Sequence, residues 1–378
     1  MVSIETSERQ NEVLRGAFCF VTEVDLEVMG DGATTTDQET LRCLRKLGNV
    51  DVIFLNQTRY KPIPLALVVF FFQILKSFSK PYNAYFSRGS TTSAILIFLR
   101  ILTLKETKIV QRSLSVPFGS REVKFLKFGK VESFLRYVLF LALERLVYSQ
   151  VDSVTVAAET YKEELIQSGV KRDNIYVVNF VASEEFFTQP LKSKIDGTFK
   201  FCYVGGFHLY QDLLPMLEAF EIVIRTKLDV ELFLVGDGPQ RPKLEERATK
   251  KELKHSVKFV GKVPRSSLPA ILSKIDCFIS LRRAPGLSIS VVEAAAAGKP
   301  IIAFAPENNT TYNNYFAHRK DIYLVHSVSS DEIAKAMALL SKDHHLRNTI
   351  AHGARLVALK HFNEKSALEQ LEKLLRKI

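Results

Sequence analysis

One carboxylate of the sequence stands where a loop and a helix could together bind an anion. Glu293 lies one turn inside a helix of small residues, which follows an apolar strand predicted at Cys277–Leu281. The loop between strand and helix carries Arg282, Arg283 and Gly286. Because backbone N–H groups at a helix N-terminus favour negative charge, this stretch predicts a site for a phosphate-like group.

A glycine loop with compatible chemistry follows the first apolar run of the chain. The strand predicted at Gly16–Glu23 leads into a turn that contains Gly30 and Gly32, and a helix is predicted from about Thr36 to Leu47. Glycines let backbone N–H groups approach an anion closely. Most glycine turns of this kind only connect a strand to a helix, so an anion site and a simple turn both stay open.

Polar residues follow other predicted strands as well. Arg112 comes at the end of one strand in the first half, and Gly205, Gly206 and His208 come after a strand in the second half. Ligands of doubly wound sheets bind beyond the carboxyl ends of the strands. These residues are therefore candidates for a site at a sheet edge.

Strands and helices must alternate along the chain to place these loops. The second half repeats strand, loop and helix several times, which predicts an α/β fold with a parallel, doubly wound sheet in each half. Residues 181–195 have no clear periodicity and mark the best domain boundary. We expect a first Rossmann-like domain at residues 1–190, a second at 197–362, and a last helix at 363–378 that packs back on the first domain.

Length and composition agree with two globular domains. The chain has 378 residues, of which 47% are hydrophobic and 25% charged. Its four cysteines have neither pairing nor metal-binding spacing. Cys19, Cys202 and Cys277 lie within apolar strand patterns, so we expect them to be buried thiols in a reducing compartment. The first sixteen residues are polar and lack the apolar segment of a signal peptide. A cytoplasmic location is expected.

The net charge of +11 comes from one region. Residues 59–145 hold fifteen Lys and Arg against four Glu and no Asp. This region includes an apolar run, Ile63–Leu75, too short to span a bilayer and expected to form a buried or an interfacial helix. In Phe118–Tyr148, basic residues such as Lys124, Lys127 and Lys130 alternate with aromatic ones.

Three interpretations of this basic region stay open. It suits the surface of an anionic membrane, on which the protein would be peripheral, and it equally suits a core helix with a solvated basic face. A nucleic-acid groove is the weakest option because no recognition motif accompanies the charge, and we expect no nucleic-acid partner.

Residues 199–304 resemble the nucleotide-sugar-binding domain of family 4 retaining glycosyltransferases. The resemblance rests on CYVGGFHLYQDLLPMLEAF, ELFLVGDGPQRPKLEERA, VKFVGKVPRSSLPAILSKIDCFIS and PGLSISVVEAAAAGKPIIAF, which occur in matching order and spacing. It implies the GT-B fold, in which two Rossmann-like domains face each other across a cleft. The first half resembles the family more weakly.

The resemblance assigns roles to particular residues and also marks departures. Glu293 is the second Glu of the family's E-x7-E pair, which binds the donor ribose, whereas Pro285 stands at the first. Gly206 and Gln211 replace the Arg and Lys that usually neutralise the diphosphate. The residues expected to act in the reaction are Arg112, His208 and Glu293. The residues expected to contact the donor are Gly32, Gly205, Gly206, Gln211, Lys262, Val263, Arg282, Arg283, Gly286, Leu287, Ser288 and Glu293.

The function that the resemblance implies is transfer of a sugar from a nucleotide-diphosphate sugar to an acceptor, with retention of configuration. The basic first half favours a lipid-linked or membrane-borne glycan as the acceptor. No Asp-x-Asp follows a strand, so we expect no metal, and no cofactor beyond the donor substrate. The departures at Pro285, Gly206 and Gln211 leave open a catalytically silent binding protein. A nucleotide-sugar epimerase is a weaker alternative.

Overall fold

The computed structural model describes residues 16–23, 32–55, 63–113, 131–191, 197–208, 211, 213–249, 253–283, 286–306 and 310–378. The chain forms two compact units, Met1–Asn179 with Glu364–Ile378, and Phe180–Asn363. The stretch predicted as a boundary begins inside the second unit, where the N–H of Ala182 donates to the carbonyl of Phe362 at 2.8 Å.

Strands and helices alternate throughout the described residues. The strands are β1 (Gly16–Thr22), β2 (Gly48–Phe54), β3 (Ala84–Arg88), β4 (Lys108–Ser113), β5 (Ser153–Val156), β6 (Ile175–Val177), β7 (Phe199–Val204), β8 (Val230–Val235), β9 (Val257–Gly261), β10 (Cys277–Ser280), β11 (Ile301–Phe304) and β12 (Tyr323–Val325). The helices are α1 (Gly32–Leu47), α2 (Ile63–Ser77), α3 (Gly89–Thr103), α4 (Val131–Gln150), α5 (Glu159–Gln167), α6 (Glu184–Phe187), α7 (Leu213–Arg225), α8 (Arg241–Ala248), α9 (Leu268–Lys274), α10 (Ile289–Ala296), α11 (Thr310–Asn313), α12 (Ser330–Lys342), α13 (His344–His361) and α14 (Glu364–Leu375).

The first unit is built on a parallel sheet with the order β2-β1-β3-β4-β5-β6. The connection from β1 to β2 runs in one direction across the sheet, and the later connections run in the other. Since such crossovers are right-handed, α1 covers one face and α2, α3 and α4 cover the opposite face. The last helix, α14, packs beside α1, where Lys46 Nζ lies 2.6 Å from a carboxylate oxygen of Glu364.

The second unit repeats this architecture with the order β12-β11-β10-β7-β8-β9. Its core contains large side chains from the sheet and from α7, among them the fully buried Phe201, Phe220 and Ile279. Burying these apolar side chains is the main favourable term that holds the sheet and its helices together. The predicted doubly wound sheet in each half is confirmed.

One local expectation changed in the structure, and a second feature had been left open between a buried and an interfacial helix. Helix α1 begins at Gly32 rather than near Thr36, so Gly32 is the first residue of the helix. Helix α2 is not uniformly buried, because Ala66, Phe70 and Ile74 are buried while other apolar side chains of the same helix are exposed. Within the described residues, no helix has the length and apolar character needed to cross a membrane.

Candidate functional site

The switch point of the second sheet lies between β7 and β10. These two strands are neighbours, and the chain leaves β7 toward β8 on one side and reaches β10 on the other. Ligands of doubly wound sheets bind at the carboxyl end of this switch point. The loops after β7 and β10 both begin there, and both contain predicted donor-binding residues.

Glu293 is buried in the helix that follows β10. The hydroxyl oxygen of Ser288 accepts the backbone N–H of Val291 at 3.3 Å and caps α10. Alanines in α10 are fully buried, so the helix packs closely against its neighbours. At the other end of the helix, Arg355 Nε donates to the carbonyl of Ala296 at 3.1 Å. The helix that carries Glu293 is therefore held at both ends.

Arg265 forms an ion pair with Glu293 that the sequence analysis missed. Its Nε lies 2.8 Å from Oε1 of Glu293, and the carboxylate side chain is only 4% exposed. Arg265 begins a short turn of 3₁₀ helix just after β9. A buried carboxylate needs such a charged partner, because an unpaired charge in the interior is costly.

The loop between β10 and α10 is held partly by one of its own arginines. Arg282 Nη1 donates to the carbonyl of Leu287 at 3.2 Å across the loop, whereas Arg283 is exposed. Gly286 has a φ of +86°, a conformation that favours glycine. Leu287 is buried and fixes the loop to the core. Pro285, which marks the missing first Glu, lies outside the described residues.

The side chain of His208 lies beside Gly206 in the loop after β7. A Cβ on Gly206 would lie 2.7 Å from the imidazole ring of His208. The Tyr203 hydroxyl donates to the carbonyl of Gly206 at 2.9 Å, and the N–H of Gln211 donates to the carbonyl of His208 at 3.0 Å. The loop thus places an imidazole beside Gly206, the position at which the resemblance predicts an Arg.

The loops after β8 and β9 support the β7 loop. The N–H of Gly236 donates to the carbonyl of Gly261 at 2.9 Å, and the N–H of Gly205 donates to Val235 at 3.0 Å. Lys262 is exposed and Val263 is half-buried beside this contact. Their predicted contact with the donor stays a prediction.

Arg112 belongs to a buried polar cluster in the first unit. Its Nη1 lies 3.1 Å from Oδ1 of Asp37, and Arg88 Nη1 lies 3.1 Å from Oδ2. The Thr22 hydroxyl also donates to Asp37, at 3.0 Å. Burial lowers the pKa of Arg112 to about 10, although Asp37 acts in the opposite direction. Arg112 therefore holds Asp37 in place, and its catalytic role stays a prediction.

The structure brings part of the predicted site together in the second unit. Ser288, Glu293 and Arg282 lie on one loop and helix, and the glycines after β7 lie at the neighbouring strand. The glycine turn before Gly32 lies outside the described residues. The described residues contain no group of three His, Cys, Asp or Glu side chains that could hold a metal ion.

Known proteins now place this chain in a structural class, the GT-B fold. HepE from Anabaena, solved in complex with UDP-glucose, superposes with a TM-score of 0.73 at 16% identity, covering 96% of this chain and 100% of that one. Sucrose-phosphate synthase from Thermosynechococcus elongatus gives a TM-score of 0.71 at 17% identity, with 96% and 99% covered. The predicted fold class is confirmed.

Within that class, residues 185–357 match the model of the family glycosyl transferases group 1. Over 134 residues the chain is 28% identical to alpha-monoglucosyldiacylglycerol synthase of Streptococcus pneumoniae, covering 35% of this chain and 30% of the relative. It is 30% identical over 152 residues to the lipopolysaccharide core biosynthesis glycosyltransferase LpsD of Rhizobium meliloti, covering 39% and 43%. These matches span less than half the length of either relative.

Proposed function

We propose that this protein is a retaining glycosyltransferase of family 4 that moves a sugar from a nucleotide-diphosphate donor to an acceptor. One observation carries the proposal. A buried carboxylate, Glu293, lies in the helix that begins at the switch point of a glycosyl transferases group 1 domain.

The donor is bound through its ribose and its diphosphate. The carboxylate of Glu293 accepts hydrogen bonds from the vicinal ribose hydroxyls, while Arg265 fixes its orientation. Backbone N–H groups of Gly206 and of the start of α10 face the diphosphate, while the N–H of Gly205 is bonded to Val235. Since Gly206 and Gln211 carry no charge, the remaining positive potential comes from Arg282 and Arg283.

The reaction needs positioning and charge stabilisation more than a protein nucleophile. The bond between the anomeric carbon and the diphosphate oxygen breaks, and the acceptor oxygen bonds to that carbon on the same face. The acceptor's proton passes to the leaving diphosphate. His208, exposed beside Gly206, and Arg112 are the further residues that we propose to act on the reacting groups. No metal ion or cofactor takes part.

The acceptor is a lipid-linked or membrane-borne glycan, bound by the first unit. The positive excess of residues 59–145 supports this, because it would attract an anionic membrane. The protein would then be peripheral on the cytoplasmic face. The named relatives support the class of acceptor, since one is a synthase of a glucosyldiacylglycerol and another acts in lipopolysaccharide core biosynthesis.

A donor screen tests the proposal. The purified protein is incubated with UDP-, GDP- and dTDP-sugars and a lipid extract, in EDTA, and release of the nucleoside diphosphate is measured. Turnover with one donor, lost in Glu293→Gln, is the expected result. A retained anomeric configuration in the product, read by NMR, is expected as well.

The screen also separates the alternatives. Nucleotide binding without turnover would support a silent binding protein, which the uncharged Gly206 and Gln211 favour. Conversion of the donor without transfer would identify an epimerase. If no donor binds and none turns over, the proposed function is wrong.

A further inference from the structure

Large apolar side chains are exposed on neighbouring helices of the first unit. They form what we call the outer apolar face, which consists of Leu65, Leu67, Val68 and Phe72 of α2 and Phe98, Ile101 and Leu102 of α3. Each of these residues leaves between 47% and 64% of its surface accessible. Leu104, directly after α3, is 89% exposed. Exposed apolar patches of this size usually mark an interaction surface.

The topology makes this face continuous. Helices α2 and α3 lie on the same side of the sheet and pack against each other. The opposite side of α2, with Ala66, Phe70 and Ile74, is buried against the sheet. The outer apolar face is thus the side of the helix layer that points away from the sheet. The other side of the layer packs against the sheet, so packing of the core does not require the exposed residues.

The charges on and around the face favour an anionic partner. Neither α2 nor α3 contains an Asp or a Glu. Exposed Lys76 lies in the last turn of α2, one turn after Phe72. Lys105 directly follows Leu104 and its ammonium donates to the carbonyl of Phe78, with Glu106 the acidic neighbour. Apolar side chains bordered by lysines match the boundary of a bilayer, where acyl chains lie beneath anionic headgroups.

We infer that the outer apolar face inserts into the surface of an anionic lipid bilayer. This inference names the surface behind the membrane binding of the proposed function, and the role of that surface in sugar transfer rests on the proposed function. Binding to vesicles can be measured whether or not the protein transfers a sugar. Helices α2 and α3 lie along the surface, with Phe72, Phe98 and Leu102 among the acyl chains and Lys76 and Lys105 at the headgroups. We favour a bilayer as the partner because a lipid surface does not need a shape that matches the face. It needs only an apolar interior and anionic headgroups.

Vesicle flotation of the full chain tests this inference. The purified protein is mixed with vesicles of phosphatidylcholine alone or with phosphatidylglycerol, and the floated fraction is measured. Substituting Phe72→Ser, Phe98→Ser and Leu102→Ser together should weaken binding by about tenfold or more, since each side chain loses its apolar contact. Lys76→Glu with Lys105→Glu should reduce binding to vesicles with phosphatidylglycerol more than binding to vesicles of phosphatidylcholine alone.

A matched control uses exposed leucines elsewhere. Leu356→Ser with Leu359→Ser removes similarly exposed apolar side chains from α13 of the second unit and should leave flotation unchanged. Because all these side chains are exposed, thermal unfolding should confirm that each variant folds. Light scattering of the wild type and the triple variant addresses a second copy of the chain as the alternative occupant.

The possible results distinguish a failure of membrane binding from a failure of the proposed sugar transfer. Glu293→Gln should float like the wild type, so flotation without sugar transfer would retain this inference and remove the proposed function. Absence of flotation on anionic vesicles would overturn it. A wild-type dimer that the triple variant converts to a monomer, without any effect on flotation, would also overturn it and assign the face to self-association.

Discussion

Arg265 Nε and Glu293 Oε1 lie 2.8 Å apart and join the loop after β9 to the helix after β10. The pair connects the loop that carries the predicted donor contacts Lys262 and Val263 to the helix predicted to bind the ribose. Glu293 thus has a fixed direction before any ligand arrives. Preorganising a binding group in this way reduces the cost of ordering it on binding.

Arg265→Ala should weaken donor binding more than it slows the chemical step. Glu293 then loses its charged partner and its orientation, and we expect the donor KM to rise about tenfold with a smaller change in kcat. Arg265→Lys should recover part of the loss because the charge remains. Steady-state kinetics with varied donor measures both constants.

A surface ion pair provides the control for this variant. Arg172 pairs with Glu163 at 3.2 Å where both side chains are largely exposed, so Arg172→Ala should leave KM and kcat unchanged. An unchanged KM in Arg265→Ala would show that the ion pair has no part in positioning Glu293.

Asp37→Asn should destabilise the first unit strongly. The carboxylate is fully buried between Arg88 and Arg112, so its loss leaves two guanidinium groups without their partner. Breaking a buried pair of this kind costs about 3–5 kcal/mol. Asp51→Asn, at an exposed pair with Lys80, should change the unfolding midpoint little. Equal midpoints for both variants, measured by denaturant unfolding, would contradict the role of the cluster.

Gly236→Ala should disturb the loops of the candidate site. Gly236 has a φ of +137°, and a Cβ there would lie 1.9 Å from the carbonyl oxygen of Gly205. We expect a loss of about 3 kcal/mol or more from the clash and the strained backbone. Gly169 also has a positive φ but no atom within 4 Å of a Cβ, so Gly169→Ala should cost about 1 kcal/mol. Equal losses in the free energy of unfolding would refute the steric argument.

Stability should fall as the pH rises above 9. Burial raises the pKa of the Cys19, Cys43 and Cys202 thiols to about 12 from 9.0. The unfolded chain releases these protons at lower pH than the folded chain, so the thiols' contribution is fully present below pH 9 and is lost between pH 9 and 12. At pH 10 we expect a loss of about 1 kcal/mol per thiol. Guanidinium unfolding under reducing conditions measures it, and a flat or rising profile would contradict the assignment.

The alternation of strands and helices was predictable because most strands are short, largely apolar runs. The capping of α10 by Ser288 was predictable for the same local reason, since a hydroxyl before a helix accepts an N–H of its first turn. Burial of Cys19, Cys202 and Cys277 was also expected from their apolar neighbours and is confirmed, and Cys43 is buried as well. Each of these inferences needs only residues close in sequence.

The ion pairs of Glu293 and Asp37 and the outer apolar face depend on tertiary structure, so the sequence did not predict them. Arg265 is 28 residues from Glu293, and Arg112 is 75 residues from Asp37, so no local pattern links them. In α2 almost every position is apolar, and the sequence cannot distinguish the side that meets the sheet from the outer apolar face. The loss of charge at Gly206 was visible in the sequence, but the imidazole of His208 beside it was not.

Calorimetric titration with nucleoside diphosphates tests the central claim most directly. UDP, GDP, ADP and CDP are titrated in turn, and the best ligand is compared with its 2′,3′-dideoxy form in the wild type and in Glu293→Gln. We predict that the wild type binds the ribose form about tenfold or more tightly than the dideoxy form, because Glu293 accepts from both hydroxyls, and that Glu293→Gln removes most of this preference. Equal affinity of the wild type for both forms, or an unchanged preference in Glu293→Gln, would contradict the assignment of the site.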